Sequence, residues 1–247
     1  MASDSLNFKK EFDRNGYFVI KNFVDKNFVF NLINEIDKSK NTIKYFDNLS
    51  QLRRIEKFYN KGPHLIDLNK KISLTLKNIF DKEFLIFKDK FNAKPPGGEG
   101  FFAHYDGIFQ FINPNDEKKN GWYEYGDFFI SALLAIDNCN KENGALELAK
   151  FHKGNFFELF ENTKKDGTPA LSTNIETKTL FNLIDLNVGD VVIFSNTCPH
   201  RSQRNDSQNT RRILYYTYSL SKNGSKYDEY FNDKDNSKNK SKALTEK

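Results

Sequence analysis

Apolar residues change their spacing along the chain, and the change separates a helical first part from a strand-rich second part. Between Asn27 and Asp37 apolar positions recur every three or four residues, and the same spacing runs from Leu65 to Phe80. That period is typical of an amphipathic helix with one buried face. We therefore predict two helices that each pack one face against a larger body.

From about Phe84 onward the apolar runs are short or alternate with polar residues, and Gly, Asn, Asp or Pro bounds them. These runs are FLIFKDKFNA, GFFAHYD, FFISALLAID, GALELA, KTLFNLIDL, DVVIFSN and RILYYTYSL. Such runs predict β-strands. Many short antiparallel strands after a helical segment favour a mainly β fold, a double-stranded β-helix (jelly-roll, cupin-like) core with the N-terminal helices packed outside. The polar insertion 113–127 is a candidate lid over this core.

Length and charge add a domain prediction. The 247 residues contain no internal repeat and no linker rich in Pro, Gly or Ser, so we predict one domain over 1–231 and a polar, disordered tail over 232–247. The tail carries five lysines against three acidic residues and so supplies two of the five net positive charges. The basic balance therefore does not predict a nucleic-acid partner.

Cysteine usage and the N-terminal sequence bear on the compartment. Cys139 and Cys198 are far apart and match no zinc or redox spacing, which favours reduced thiols. The first residues lack the apolar segment of a secretion signal, and no window is as long and apolar as a membrane span. We expect a cytoplasmic protein with no membrane association and no obligate protein partner.

Candidate chemistry lies in GFFAHYDGIF, because the chain has only four histidines and one of them precedes an aspartate by two residues here. If FFAHYD is a strand, His104 and Asp106 point to the same side and Tyr105 points away. His200 follows the strand-like VVIF. Two histidines and one carboxylate form the ligand face of a non-haem Fe(II) site with open positions. By itself, the short HxD motif also fits a hydrogen-bonded pair in a core.

Arg211 opens the run RRILYYTYSL, 11 residues after His200. A strand-borne arginine near such an iron suits a five-carbon dicarboxylate cosubstrate, whose distal carboxylate can take a bidentate guanidinium pair. Arg212 points to the opposite face of a regular strand, where a surface charge is expected.

These motifs together resemble the phytanoyl-CoA dioxygenase type of Fe(II)- and 2-oxoglutarate-dependent oxygenases, which includes ectoine hydroxylase. The resemblance runs from NGYFVIKNFV to YYTYSL and is carried by KPPGGEGFFAHYDG, NGALELAKFHKG and GDVVIFSNTCPHRSQRNDSQNTRR. It implies a dioxygenase that uses Fe(II), 2-oxoglutarate and O2 to hydroxylate an unactivated C–H bond of a metabolite and releases succinate and CO2. Two departures stand out, AKFHKG in place of the family's Pro-Gly-Ser-His turn and Tyr105 in place of its usual Gln.

The resemblance also implies roles for individual residues. The iron ligands, which are also the catalytic residues, would be His104, Asp106 and His200. Relatives that halogenate lack the carboxylate, so Asp106 favours hydroxylation. The 2-oxoglutarate contacts and the ring beside the iron would be supplied by Arg211, Ser202, Asn92 and Phe101.

Three alternatives remain open at this point. An oxygenase of the nucleic-acid-demethylating type shares the ligands but spaces its arginine differently. A cupin-like metalloprotein without 2-oxoglutarate dependence would make Arg211 dispensable. A catalytically silent binding module of the same fold would bind no iron.

Overall fold

The computed structural model describes residues 2–113 and 115–235. Helices in these ranges are α1 Ala2–Asn15, α2 Lys26–Lys38, α3 Pro63–Phe80, α4 Phe156–Phe160, α5 Thr173–Glu176 and α6 227–235, with 3-10 turns at Gly121–Glu124 and Ser221–Asn223. Strands are β1 Tyr17–Ile20, β2 Ile43–Phe46, β3 Leu52–Glu56, β4 Phe84–Lys94, β5 Phe101–His104, β6 Phe111–Ile112, β7 Lys118–Lys119, β8 Phe129–Ala135, β9 Leu146–Ala149, β10 Phe181–Leu183, β11 Val191–Ser195, β12 His200–Ser202 and β13 Arg211–Leu220.

Two antiparallel sheets form the jelly roll. The larger has seven strands in the order β1-β11-β8-β13-β4-β3-β2, and the smaller has four in the order β10-β9-β12-β5. Strands β6 and β7 form a separate hairpin inside the 113–127 insertion and its N-terminal flank. The predicted mainly β architecture with helices outside is confirmed.

Side-chain alternation on the long strands separates two apolar cores. On β13, Leu214 and Tyr216 face outward and pack with the buried sides of α2 and α3, and the Tyr216 hydroxyl donates to the Leu65 carbonyl oxygen at 3.2 Å. Ile213 and Tyr215 face inward and pack with residues of β9 in the smaller sheet. The odd-numbered residues of β13, Arg211 among them, therefore line the barrel interior.

The predicted helices are α2 and α3, while α1, β1 and the β2–β3 hairpin are not predicted by the apolar pattern. Their sequences explain this, because α1 buries little beyond Phe12 and β3 reads LRRIE. The predicted tail starts at residue 232, but helical backbone continues to residue 235, and residues 236–247 lie outside the described part of the chain.

Candidate metal centre

The ends of two strands bring the predicted triad together inside the barrel. Strands β5 and β12 pair antiparallel with His104 directly opposite His200, and the two imidazole centroids are 4.1 Å apart. Asp106 follows the end of β5, and its Oδ2 lies 3.9 Å from His200 Nε2. One ligand atom from each of the three side chains lies within 4.8 Å of the other two, and all three residues are buried.

The predicted strand ends earlier than the sequence pattern suggests. β5 ends at His104, and Asp106 lies in the turn that follows. The Asp106 backbone N–H donates to the Asn196 carbonyl oxygen at 3.0 Å. Gly107 has φ +76°, and a Cβ there would lie 2.4 Å from the Trp122 ring, so only glycine fits the turn. Alternation nevertheless holds past the strand end, since Tyr105 points away and hydrogen-bonds His152.

Both triad histidines are oriented by backbone carbonyls. His104 Nδ1 lies 2.8 Å from the Phe102 carbonyl oxygen, and His200 Nδ1 lies 3.0 Å from the Cys198 carbonyl oxygen. A carbonyl can only accept, so each Nδ1 carries the proton and each Nε2 keeps a free lone pair. This is the arrangement by which proteins orient histidines for a metal.

The charges of the triad also suit a cation. Burial, and then repulsion from His200, lower the pKa of His104 to about 3, and burial lowers the pKa of His200 as well. Burial would raise the pKa of Asp106, but the neighbouring His200 and Lys90 lower it overall. At neutral pH the triad therefore presents two neutral imidazoles and one carboxylate, the donor set typical of Fe(II) with open positions.

Arg211 lies in the interior at the start of β13 and is 4% exposed. Its Nη2 donates to the Gly144 carbonyl oxygen at 3.1 Å. Its buried Nε has no hydrogen-bond partner among the described residues. An orphaned guanidinium N–H inside a barrel is costly unless an anion accepts from it. Arg212 faces outward, as predicted, and forms a bidentate pair with Asp137.

The structure places a second cation, Lys94, beside Arg211. The sequence analysis did not include Lys94 among the site residues. Its Nζ donates to Ser202 Oγ at 2.9 Å and also bonds the Gln203 carbonyl oxygen, and it lies 3.3 Å from the Gly144 oxygen that Arg211 contacts. Burial, and then repulsion from Arg211, lower the pKa of Lys94 to about 7. The sequence signal that could have found it is strand alternation, since Lys94 lies two residues after Asn92 and so on the same face of a strand.

The remaining predicted residues occupy different surroundings. Ser202 is in contact with Lys94 at the Arg211 end of the interior. Asn92 lies on the same face of β4 as Lys94, and its Oδ1 accepts from Arg54 Nε at 3.2 Å. The Phe101 ring lies 4.9 Å from the His104 ring and is 45% exposed at the mouth of the barrel. Their roles in binding remain predictions.

The residues present fit an Fe(II) ion and a dicarboxylate chelator. Two lone pairs and one carboxylate converge from the ends of β5 and β12, and the orphaned Arg211 Nε supplies a donor for a distant carboxylate. In the described part of the chain, no helix has both the length and the apolar character needed to cross a membrane.

Similar proteins are named as dioxygenases and hydroxylases. The family model described as phytanoyl-CoA dioxygenase (PhyH) matches residues 12–213. A 2-aminoethylphosphonate dioxygenase from Uncultured bacterium HF130_AEPn_1 is 27% identical over 241 residues, which is 92% of this chain and 86% of the relative. A methylphosphonate hydroxylase from Gimesia maris is 30% identical over 152 residues, 61% of this chain and 51% of the relative.

Solved structures share the fold. The apo form of EctD from S. alaskensis superposes with a TM-score of 0.66 at 17% identity, over 87% of this chain and 76% of that one. At that identity the likeness concerns the fold alone.

Proposed function

The chain belongs to the phytanoyl-CoA dioxygenase family, and from that premise we propose that it hydroxylates an unactivated C–H bond of a small-molecule metabolite, with release of succinate and CO2. It is a dioxygenase that uses Fe(II), 2-oxoglutarate and O2. The observation that carries the proposal is the buried triad on the smaller sheet together with the unpartnered Arg211 Nε on the inward face of the larger one.

Each part of the site has a distinct task in this proposal. His104, Asp106 and His200 would hold Fe(II), which supplies the oxygen chemistry when bound. Arg211 would donate to the distal carboxylate of 2-oxoglutarate, and Lys94 would add a second positive charge there. Asp106 would occupy one coordination position as a carboxylate, which favours hydroxylation.

The relatives supply the substrates to test first. Two of them are named for small phosphonates, 2-aminoethylphosphonate and methylphosphonate. We therefore propose a small, hydrophilic, anionic metabolite, and organophosphonates are the leading class.

An anaerobic titration tests the cofactor assignment. Apoprotein receives Fe(II) and then 2-oxoglutarate, and we expect the weak visible charge-transfer band of the chelate, with His200→Ala as the control that lacks it. Succinate release is then measured with methylphosphonate and 2-aminoethylphosphonate. A well-folded protein without the band would favour the cupin-like metalloprotein or the silent binding module instead.

A further inference from the structure

Lys90 places an ammonium group in the barrel interior, on the same face of β4 as Lys94. It pairs with Tyr215 across the β13–β4 ladder, and its Nζ lies 4.3 Å from the centroid of the Tyr215 ring. Lys90 donates no hydrogen bond to, and forms no ion pair with, any residue that the structure describes. The aromatic face is therefore its one polar contact within those ranges.

The other charges near Lys90 already have partners. Lys88 Nζ donates to the Tyr230 hydroxyl at 3.1 Å and lies 5.0 Å from the Trp122 ring centroid. Glu56, which is fully buried, bonds Lys234 and lies 3.7 Å from an Arg54 nitrogen. The buried carboxylate of Glu56 is thus engaged with other cations, and no described carboxylate forms a close ion pair with Lys90.

Lys90 also acts on the metal centre from close by. Its charge lowers the pKa of Asp106 and, as a smaller effect than burial, the pKa of both triad histidines. Burial lowers the pKa of Lys90 itself to about 7. With Asp106 bound to a metal, the partly buried Lys90 ammonium would keep its charge near the centre, and an arriving anion would offset the cost of that burial.

The barrel interior has two separate groups of positive charge, and they suit different anions. Arg211, with Lys94, lies at the end where the ladder of β4 and β13 meets the loop of Gly144. Lys90 lies four residues earlier on β4, about 13 Å along the strand. A planar guanidinium suits a carboxylate, whereas a lysine ammonium binds phosphate-like groups as a point charge.

We propose that Lys90 binds a tetrahedral oxyanion of the substrate, a phosphonate in the first instance, and so positions the adjacent C–H bond over the metal centre. The proposal rests on the proposed function, whose reaction requires a substrate next to the triad. It assigns Lys90 as a specificity-determining residue and makes an anionic headgroup the recognised part of the substrate.

The test is a 31P NMR titration of methylphosphonate into metal-free protein at pH 6.5, with wild type, Lys90→Met, Lys90→Arg and Lys70→Met. Lys70 is exposed on α3 and serves as the control for loss of one lysine charge. We expect Lys90→Met to weaken binding by about 10-fold or more, as for loss of a hydrogen bond to a charged group. Lys90→Arg should restore much of the affinity, and Lys70→Met should bind as wild type does.

Binding that is absent in wild type, or equal in wild type and Lys90→Met, overturns the proposal. O-phosphoethanolamine and acetate form the further arms. If the phosphate monoester binds in a Lys90-dependent way, the oxyanion site is supported and the substrate is a phosphate ester instead of a phosphonate. If only acetate binds in a Lys90-dependent way, the proposal that Lys90 recognises a tetrahedral oxyanion is overturned. After the titration, Fe(II) and 2-oxoglutarate are added anaerobically to the same proteins, and the charge-transfer band is recorded. If the band is normal but phosphonate binding does not depend on Lys90, the inference about Lys90 fails and the oxygenase function stands. If binding depends on Lys90 but no band forms, the oxygenase function fails and the anion site stands.

Discussion

Arg211→Leu separates cosubstrate binding from metal binding. Arg211 is 4% exposed, and within the described residues it donates to the Gly144 carbonyl oxygen at 3.1 Å. Leucine keeps an apolar side chain next to inward-facing Ile213 but removes every N–H that could meet a carboxylate. The triad has no contact with Arg211 among the hydrogen bonds and ion pairs of the described residues.

The magnitude follows from burial and from Lys94. Removing one partner of a buried, hydrogen-bonded charge pair costs roughly 2–5 kcal/mol. Lys94 Nζ and Arg211 Nη2 contact the same Gly144 oxygen, so one cation remains at this end after the substitution. We therefore expect the lower half of that range, about 2–3 kcal/mol, which corresponds to roughly 30- to 150-fold weaker binding of 2-oxoglutarate.

The assay is the anaerobic titration, with the Fe(II) affinity measured first and the 2-oxoglutarate affinity second. Arg212→Leu is the matched control, because Arg212 is the next residue, faces outward and pairs with Asp137. It should lower stability slightly and leave both affinities unchanged. A folded Arg211→Leu protein with wild-type affinity for 2-oxoglutarate, or with an equal loss of Fe(II) affinity, would refute the reasoning.

Two further predictions concern the triad and the buried charge network. Asp106→Ala should abolish hydroxylation while the circular dichroism spectrum stays native, and unchanged succinate release would contradict the ligand assignment. Burial would raise the pKa of Glu56, but Lys88, Lys234 and Arg54 hold it at about 2, below the ordinary 4.5. A lowered carboxyl pKa stabilises the fold above pH 4.5, and this contribution is lost as pH falls toward 2, about 3 kcal/mol in all. Denaturant unfolding of Glu56→Gln should therefore show lower stability at pH 7 and a flatter decline between pH 5 and 3 than wild type, and parallel profiles would count against the network.

Some residues of the site could be predicted from the sequence and others could not. His104, Asp106 and His200 were predicted because two motifs of rare residues sit on recognisable strand patterns, and Arg211 followed from its position at a strand start. Lys94 and Lys90 were not assigned to the site, since strand alternation alone does not set them apart and a lysine on a strand is exposed more often than buried. Their importance depends on which face of β4 turns into the barrel, and for Lys94 this shows only in its hydrogen bond to Ser202 of β12.

Local patterns determined the element types, because periods of 3.6 and 2 reflect which side of one helix or strand is buried. They therefore determined α2, α3 and the strand-rich second part, together with the residue types available for metal chemistry. Tertiary structure decided which strand ends meet. The pairing of His104 with His200 joins residues far apart in sequence, and the turn at Asp106 exists because Gly107 lies against Trp122. Tertiary structure also decided which cations are buried without a partner. The burial of a side chain depends on every element that packs over it, and no local stretch of sequence contains that information.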